Sequence, residues 1–218
     1  MSASKLVQSL INTPLAAALK THGFKRKTLV YKRAVGDVKH VLQVQWRPGK
    51  TRDEAELVLN LGASLPEVDR LLGRASSSDP SEYDCTVRTR VGPSQTGSDP
   101  WWSVSAADKS APVDLTSRVE QAVIPWFSLA TDLATLSKRL ETPTGVWSDD
   151  SLVAVAVALA LGDKALAESR LNAEVAAIHE KRRARAAQFP NESFGGGLLE
   201  RAMELGGKHG LHLTALAG

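Results

Sequence analysis

The stretch from Glu82 to Phe127 constrains the fold of this chain more than any other, because it begins with an alternating segment and ends among large aromatic side chains. Side chains of one parity are mostly apolar: Tyr83, Cys85, Val87, Thr89 and Val91. Those of the other parity are polar or charged: Asp84, Thr86, Arg88 and Arg90. This is the period of a β-strand with one buried face. The pattern predicts a strand from Glu82 to Val91, internal to a sheet, whose two arginines face away from the helices.

Large aromatic residues are concentrated in the rest of this stretch. Three of the five tryptophans of the chain are Trp101, Trp102 and Trp126, and the last of them belongs to the triplet Pro125–Trp126–Phe127. Large aromatic side chains bury more area than any others. We therefore expect these tryptophans to fill the hydrophobic core that the strand faces, and we expect a further strand to begin at the Trp101–Trp102 pair.

Two helices are predicted in the first two thirds of the chain. The pair Thr13–Pro14 is typical of a helix start and Gly23 of a helix end, so the first helix should cover residues 14–22, with another turn or two before the proline. Apolar residues at helical spacing predict the second helix over about residues 114–141, bent near Pro125.

Between these helices the apolar residues alternate with polar ones, as they do in strands. Alternation resumes after Phe24, and the pair Gly36–Asp37 interrupts it where a hairpin turn is expected. A third strand is indicated by alternating leucines over residues 57–61, and a short helix or turn over residues 66–72. Three successive strands favour an antiparallel meander, which should share one sheet with the strand at residue 82.

The last third of the chain carries only helical signals. Helix breakers at Thr142–Gly145 mark a boundary, and two helices that meet near Gly162 form a helical hairpin, followed by a short helix from about residue 198. The fold class expected is therefore α+β, with helices packed on one face of an antiparallel sheet and a C-terminal helical extension. The α+β domain should cover residues 1–141, and the helical extension, residues 142–218, should pack on it.

Composition limits where such a chain can act. The most apolar window, residues 152–161, is about half the ~20 residues that a membrane-spanning helix needs, so no membrane span is expected. The first residues lack the pattern of a secretory signal, and a cytoplasmic location is expected. A single cysteine, Cys85, excludes an intramolecular disulfide and a cysteine-based zinc site. The net charge of +3 permits contact with nucleic acid but does not require it.

No motif for catalysis or for a cofactor stands out. Residues 47–51 end like a phosphate-binding loop, but the earlier glycine that this motif requires is replaced by Val44. His209 and His212 are three residues apart without a further ligand at recognisable spacing, so no metal site is expected. No pattern links a histidine to Cys85 or to a serine as a nucleophile, and an enzyme is therefore disfavoured but left open. No cofactor is predicted.

Three basic clusters remain, and each has a structural explanation. Residues 25–27 begin the first strand, and residues 181–185 close a long helix, where cations suit the negative end of the helix dipole. Arg88 and Arg90 share one strand face, where like charges about 7 Å apart repel each other unless carboxylates or solvent compensate. They either pair with nearby carboxylates such as Asp84, or bind an acidic ligand.

Several short motifs, in the same order along the chain, resemble the bacterial domain-of-unknown-function family 4304. They are Gly23–Phe24–Lys25–Arg26–Lys27, Gly36–Asp37, Leu59–Asn60–Leu61–Gly62, Tyr83–Asp84–Cys85 with Arg88, Arg90 and Gly92, Trp101–Trp102, and Pro125–Trp126–Phe127. The resemblance covers about residues 3–141. It implies an α+β fold and carries no activity; by analogy with small bacterial domains that are encoded beside toxins, it suggests an immunity or partner-binding role.

The function expected from these observations is a non-catalytic protein-binding module, of which an immunity protein that neutralises a toxin is one form. The candidate binding residues are Asp84, Arg88, Arg90, Trp101 and Trp102. Nucleic-acid binding through an arginine and tryptophan face is the alternative. An enzyme whose site is assembled from scattered residues is the third.

Overall fold

The computed structural model describes residues 2–92, 101–141, 148, 150–189 and 197–214. The strands are β1 (Lys25–Lys27), β2 (Val30–Val35), β3 (Val38–Pro48), β4 (Glu54–Ser64), β5 (Val87–Val91) and β6 (Trp102–Ser105). The helices are α1 (Ala3–Leu10), α2 (Ala16–Thr21), α3 (Pro66–Leu71), α4 (Ala111–Arg118), α5 (Ile124–Thr131), α6 (Leu133–Arg139), α7 (Val153–Ala160), α8 (Lys164–Gln188) and α9 (Gly197–His209). The predicted fold class, an α+β protein with an antiparallel sheet and C-terminal helices, is confirmed.

The sheet has the order β1-β2-β3-β4-β5, and every pairing in it is antiparallel. Gly36, which has a positive φ of 57°, lies in the predicted turn between β2 and β3. Strand β4 is the centre of the sheet: β3 pairs with it on one side, while β5 and β6 share its other side. The meander predicted from residues 24 to 61 is therefore confirmed.

The segment predicted to be the central strand contains a shorter strand, which lies at the end of the sheet order and not at its centre. Residues Glu82–Asp84 form a 3₁₀ turn, β5 begins only at Val87, and among the described residues β5 pairs with β4 alone. The prediction of an internal strand from Glu82 was therefore wrong. Its cause is local, since the carboxylate of Asp84 accepts hydrogen bonds from the backbone and the hydroxyl of Ser81, at 2.8 and 2.6 Å, and such bonds compete with a strand ladder.

Two wide helical turns accommodate prolines that were expected to start or bend helices. The first helix begins at Ala3, capped by Ser2, and continues through a π-helical turn, Ile11–Leu15, into α2. The prediction that Thr13 caps a helix start was wrong, because the π turn holds Pro14 inside a continuous helix. A second π turn, Val119–Val123, joins α4 to α5 just before Pro125.

The main core lies between the sheet and the helices on one of its faces. Alternate residues of β4, among them Leu57, Leu59 and Leu61, are fully buried there beside α1, α2, α4 and α5. Trp102, Trp126 and Phe127 are also in this core, as expected. Trp101 lies outside the core and is only half-buried.

The C-terminal helices share this core through α7. Val153, Ala156 and Val157 belong to the main cluster, whereas Leu152 and Val155 belong to a second cluster that includes residues of α8 and α9. The predicted boundary segment Thr142–Gly145 lies outside the described residues, and the division at residue 141 stays a prediction. Within the described ranges, none of the helices has the length and the apolar composition needed to cross a bilayer.

Candidate functional site

The sheet has an outer face, which we define as the face opposite the core side chains of β4. Directly paired residues of an antiparallel sheet share a face, so the register traces two rows across it. The first row is Lys25, Lys32, Val41, Gly62 and Arg88. The second row is Lys27, Val30, Gln43, Asn60 and Arg90. Two of the five predicted site residues, Arg88 and Arg90, therefore lie on the outer face.

Arg88 is held by a carboxylate that the sequence analysis did not select. Its Nε donates to Oε1 of Glu82 at 2.7 Å, and its Nη2 contacts Oε2 at 3.3 Å. Arg88 is 8% exposed and Glu82 2% exposed, and the Tyr83 ring centroid lies 4.7 Å from the guanidinium carbon. This bidentate, buried pair gives Arg88 a structural role in the packing of the 3₁₀ turn against the sheet.

Asp84 and Trp102 also have structural environments. Asp84 is exposed, and the hydrogen bonds from the hydroxyl and the backbone of Ser81 lower the pKa of its carboxyl. Trp102 faces the core, opposite Leu57 in the register of β6 and β4. The predicted set of five residues is therefore not one site, because its members are divided between the 3₁₀ turn, the core and the outer face.

The remaining two candidates lie close together on the outer face. Trp102 is opposite Leu57 and Val91 is opposite Leu59, so Trp101 and Arg90 approach the same stretch of β4. The guanidinium of Arg47 stacks 4.4 Å from the ring centroid of Trp101 and pairs with Glu56 at 2.5 Å. We name the group Arg47, Arg90 and Trp101, with Asn60, the arginine–tryptophan strip.

Asn60 brings an unsatisfied polar atom to this strip. It is 3% exposed, and its Nδ2 donates to Oε1 of Gln45 at 3.1 Å. Its Oδ1 is buried and accepts no hydrogen bond from the described residues. A buried acceptor without a donor costs roughly 1–3 kcal/mol, so this position is a local weakness of the sheet.

A basic pocket lies at the opposite edge of the sheet, and we name it the lysine pocket. It has a volume of about 430 Å³, and its charged lining comprises Lys25, Lys32, Arg33, Lys39 and Asp79. The lining thus has four cations and one carboxylate. Sequence reasoning noted the basic run at residues 25–27 but missed the pocket, because its cations come from three strands and its carboxylate from a distant loop.

His40 and Cys85 are side chains of types that can transfer protons or act as nucleophiles, but both are held in unreactive states. Arg33 Nε donates to Nδ1 of His40 at 3.0 Å, so the proton of this imidazole is on Nε2, 2.8 Å from Oγ1 of Thr131. Burial, and then the charge of Arg33, lower the pKa of His40 to about 3. Burial raises the pKa of the Cys85 thiol to about 12, so this sulfur is not a thiolate nucleophile at neutral pH.

Comparison with known proteins places the larger part of the chain in one group. The family model described as "Domain of unknown function (DUF4304)" matches residues 15–129. This range includes β1 to β6 and α2 to α4, and with them both the arginine–tryptophan strip and the lysine pocket. No curated protein and no solved structure matches the chain.

Proposed function

Since the chain belongs to the DUF4304 family, whose function is unknown, we propose from its surface that it is a non-catalytic module that binds an acidic protein. The arginine–tryptophan strip is the binding surface in this proposal. An immunity-type role, in which the bound protein is a toxin, is its more specific form. The proposal replaces the arginine pair with a different set, because Arg88 is already neutralised by Glu82.

The observation that carries the proposal is the position of Arg90 beside the stacked Arg47 and Trp101. Arg90 is exposed and has no carboxylate partner among the described residues. Arginine and tryptophan are the residues most enriched at the energetic centres of protein interfaces. A cation beside a rigid aromatic ring suits a partner surface that combines a carboxylate with an apolar contact.

The charge of the arginine–tryptophan strip favours a protein over a nucleic acid. Arg47 is paired with Glu56, so Arg90 supplies the net charge of the strip. Proteins that hold single-stranded nucleic acid rely on a series of cations along the backbone, which this strip does not provide.

The test is a calorimetric titration of the protein against the purified products of the genes that adjoin its own. We expect the double variant Arg90→Ala/Trp101→Ala to bind its partner about tenfold or more weakly than wild type does, as expected for an interface centre. Lys27→Ala is the matched control, since Lys27 occupies the same row of the outer face at the far edge. It removes one cation from that face and should leave binding unchanged.

Thermal melts of the same variants separate binding from folding, because surface substitutions change stability by only about 0.5 kcal/mol. A double variant that binds as tightly as wild type would contradict the proposal, as would the failure of every adjoining gene product to bind. A mixed-sequence oligonucleotide, titrated at two salt concentrations, tests the alternative. Tight binding that weakens steeply with salt would favour nucleic acid instead.

A further inference from the structure

The lysine pocket has an excess of positive charge that the fold does not need. Lys25 and Lys32 are directly opposite each other on β1 and β2, and like charges in this position destabilise a strand pair. Lys39 of β3 lies on the same face, two residues from Val41, which pairs with Lys32. Lysines concentrated in this way reduce stability unless an anion compensates for them.

The protein itself supplies only part of that compensation. Nζ of Lys32 is 2.5 Å from Oδ1 of Asp79, and Nζ of Lys39 donates to the carbonyl of Ser78. The hydrogen bond and charge of Lys32, together with the charges of Lys27 and Lys39, lower the pKa of Asp79. Within the described residues, Lys25 has no ion-pair partner, and the three lysines of the pocket exceed its one carboxylate by two charges.

Arg33 lies beside the pocket, but its side chain is on the core face of the sheet, because it follows Lys32 on β2 and pairs with His40. There its Nε donates to Nδ1 of His40 at 3.0 Å, its Nη1 donates to the carbonyl of His22 at 2.9 Å, and it stacks on the ring of Phe24 at 4.7 Å. Its charge adds to the positive potential of the pocket, while the groups that face a ligand on the outer face are the lysines.

We propose that the lysine pocket binds the phosphoryl group of a small phosphomonoester. A phosphoryl dianion, with two charges and three acceptor oxygens, matches a cluster of lysine ammonium groups better than a single carboxylate does. The volume of about 430 Å³ lies in the range of small-molecule sites, which leaves space for an organic group beyond the phosphate. This site is separate from the arginine–tryptophan strip, and the proposal does not depend on the proposed function.

The test is a titration of the full chain at low ionic strength with glycerol phosphate, inorganic phosphate and, as a control for general anion binding, chloride. We expect saturable binding of glycerol phosphate, weaker or equal binding of inorganic phosphate, and none of chloride. A bound ligand should also raise the melting temperature as its concentration increases. If neither phosphate compound binds saturably, or if chloride binds equally well, the proposal is wrong.

A matched pair of variants tests the position of the site. Lys25 and Lys27 are both exposed residues of β1 on the outer face, but only Lys25 lines the pocket. Lys25→Ala should weaken binding of glycerol phosphate about fivefold, the effect of one charge contact in water. Lys27→Ala should weaken it less than Lys25→Ala does, because Lys27 lies outside the pocket and acts on it only through its charge. Equal losses in the two variants would overturn the proposal.

A third variant should strengthen binding, which misfolding cannot explain. Asp79 competes for Lys32 and repels an anion in the pocket, and its side chain is 82% exposed. Asp79→Asn should therefore tighten binding of glycerol phosphate severalfold while the melting temperature changes little. Weaker binding in this variant would contradict the proposal. Arg90→Ala/Trp101→Ala should bind glycerol phosphate as wild type does, and a loss there would also contradict it.

Discussion

At the scale of single residues, burial separates two arginines that the sequence makes equivalent. Arg88 and Arg90 are two positions apart on β5 and lie on the same face, yet Arg88 is 8% exposed while Arg90 is exposed. The difference comes from the 3₁₀ turn before β5, which places Glu82 over Arg88. A charge buried in this way is costly to leave without its partner, whereas an exposed charge is hydrated.

Arg88→Ala should therefore lower the free energy of unfolding by about 3–5 kcal/mol, because it leaves the buried Glu82 carboxylate without its cation. Arg90→Ala, on the same strand and face, should change it by less than about 0.5 kcal/mol. Urea denaturation of both variants measures the difference. Similar losses in the two variants would mean that the buried pair contributes nothing particular to stability.

His40 predicts how stability depends on pH. Its pKa falls from 6.5 to about 3 in the folded protein, so between these values the unfolded chain binds one proton more than the folded chain does. Its stabilisation is therefore complete above pH 6.5 and is lost as pH falls toward 3. The expected slope is about 1.4 kcal/mol per pH unit, the free-energy equivalent of one proton.

The replacement His40→Asn keeps an acceptor for Arg33 but cannot titrate, and so provides the control. Urea denaturation between pH 7 and pH 5 should show a shallower loss of stability in this variant than in wild type. Identical slopes would mean that His40 takes up its proton within the folded protein. The ring also stacks on Phe127 at 4.4 Å, so the variant should be less stable than wild type at pH 7.

At the scale of elements, β4 is the central strand of the sheet, which is the position predicted for residues 82–91. β4 alone pairs with three strands among the described elements, and residues such as Leu59 and Leu61 are fully buried. Its Gly62 lies against Cys85: a Cβ there would be 2.6 Å from the sulfur. The turn before β5 can therefore pack on the sheet only because this strand has a glycine at the contact.

Helix α5 contributes the aromatic part of the core. Trp126 is 8% exposed and packs edge-on against Phe127, with 5.2 Å between the ring centroids. Trp126→Ala should lower the free energy of unfolding by about 3–5 kcal/mol, as the removal of a buried aromatic does. Val113→Ala is the control, because Val113 of α4 is 69% exposed. In denaturant melts, a loss below about 1 kcal/mol at Trp126 would show that its burial contributes little to stability.

At the scale of the whole molecule, α7 connects the helical extension to the α+β part. One side of α7 lies in the main core, and the other side belongs to a second apolar cluster with residues of α8 and α9. Ion pairs also join the two parts. Arg74 pairs with Asp69 at 2.8 Å and lies 3.9 Å from Asp150. Asp150 in turn pairs with Arg201 of α9 at 2.5 Å. Both parts of the chain therefore contribute to one packing arrangement.

Residues 142–218 alone should not fold into a stable monomer. Val153, Ala156 and Val157 would lose the apolar partners that bury them in the full chain, and the remaining helices offer too small a core. Circular dichroism and sedimentation of this fragment should show an unfolded or self-associated chain, while the full chain should unfold in one transition. A monomeric fragment with a cooperative melt would contradict this expectation and favour two independent domains.

Most of the secondary structure followed from local patterns along the chain. Alternation and turn residues predicted the meander through β2, β3 and β4, helical spacing predicted the later helices, and ordered motifs predicted the family. These features depend on neighbours within a few residues. The same reasoning failed at Glu82, where the hydrogen bonds of Ser81 and Asp84 outweigh an alternating pattern.

Which charges are paired and which are available depends on contacts between segments that are distant in sequence. Lys32 and Asp79 meet across 47 positions of sequence, and Lys25, Lys32 and Lys39 converge because three strands align in one register. Alternation assigns each side chain to a face, but it does not say which other segment covers that face. For that reason Arg88, which lies under a turn, is part of the scaffold, while Arg90 and the lysine pocket remain open to a partner or a ligand.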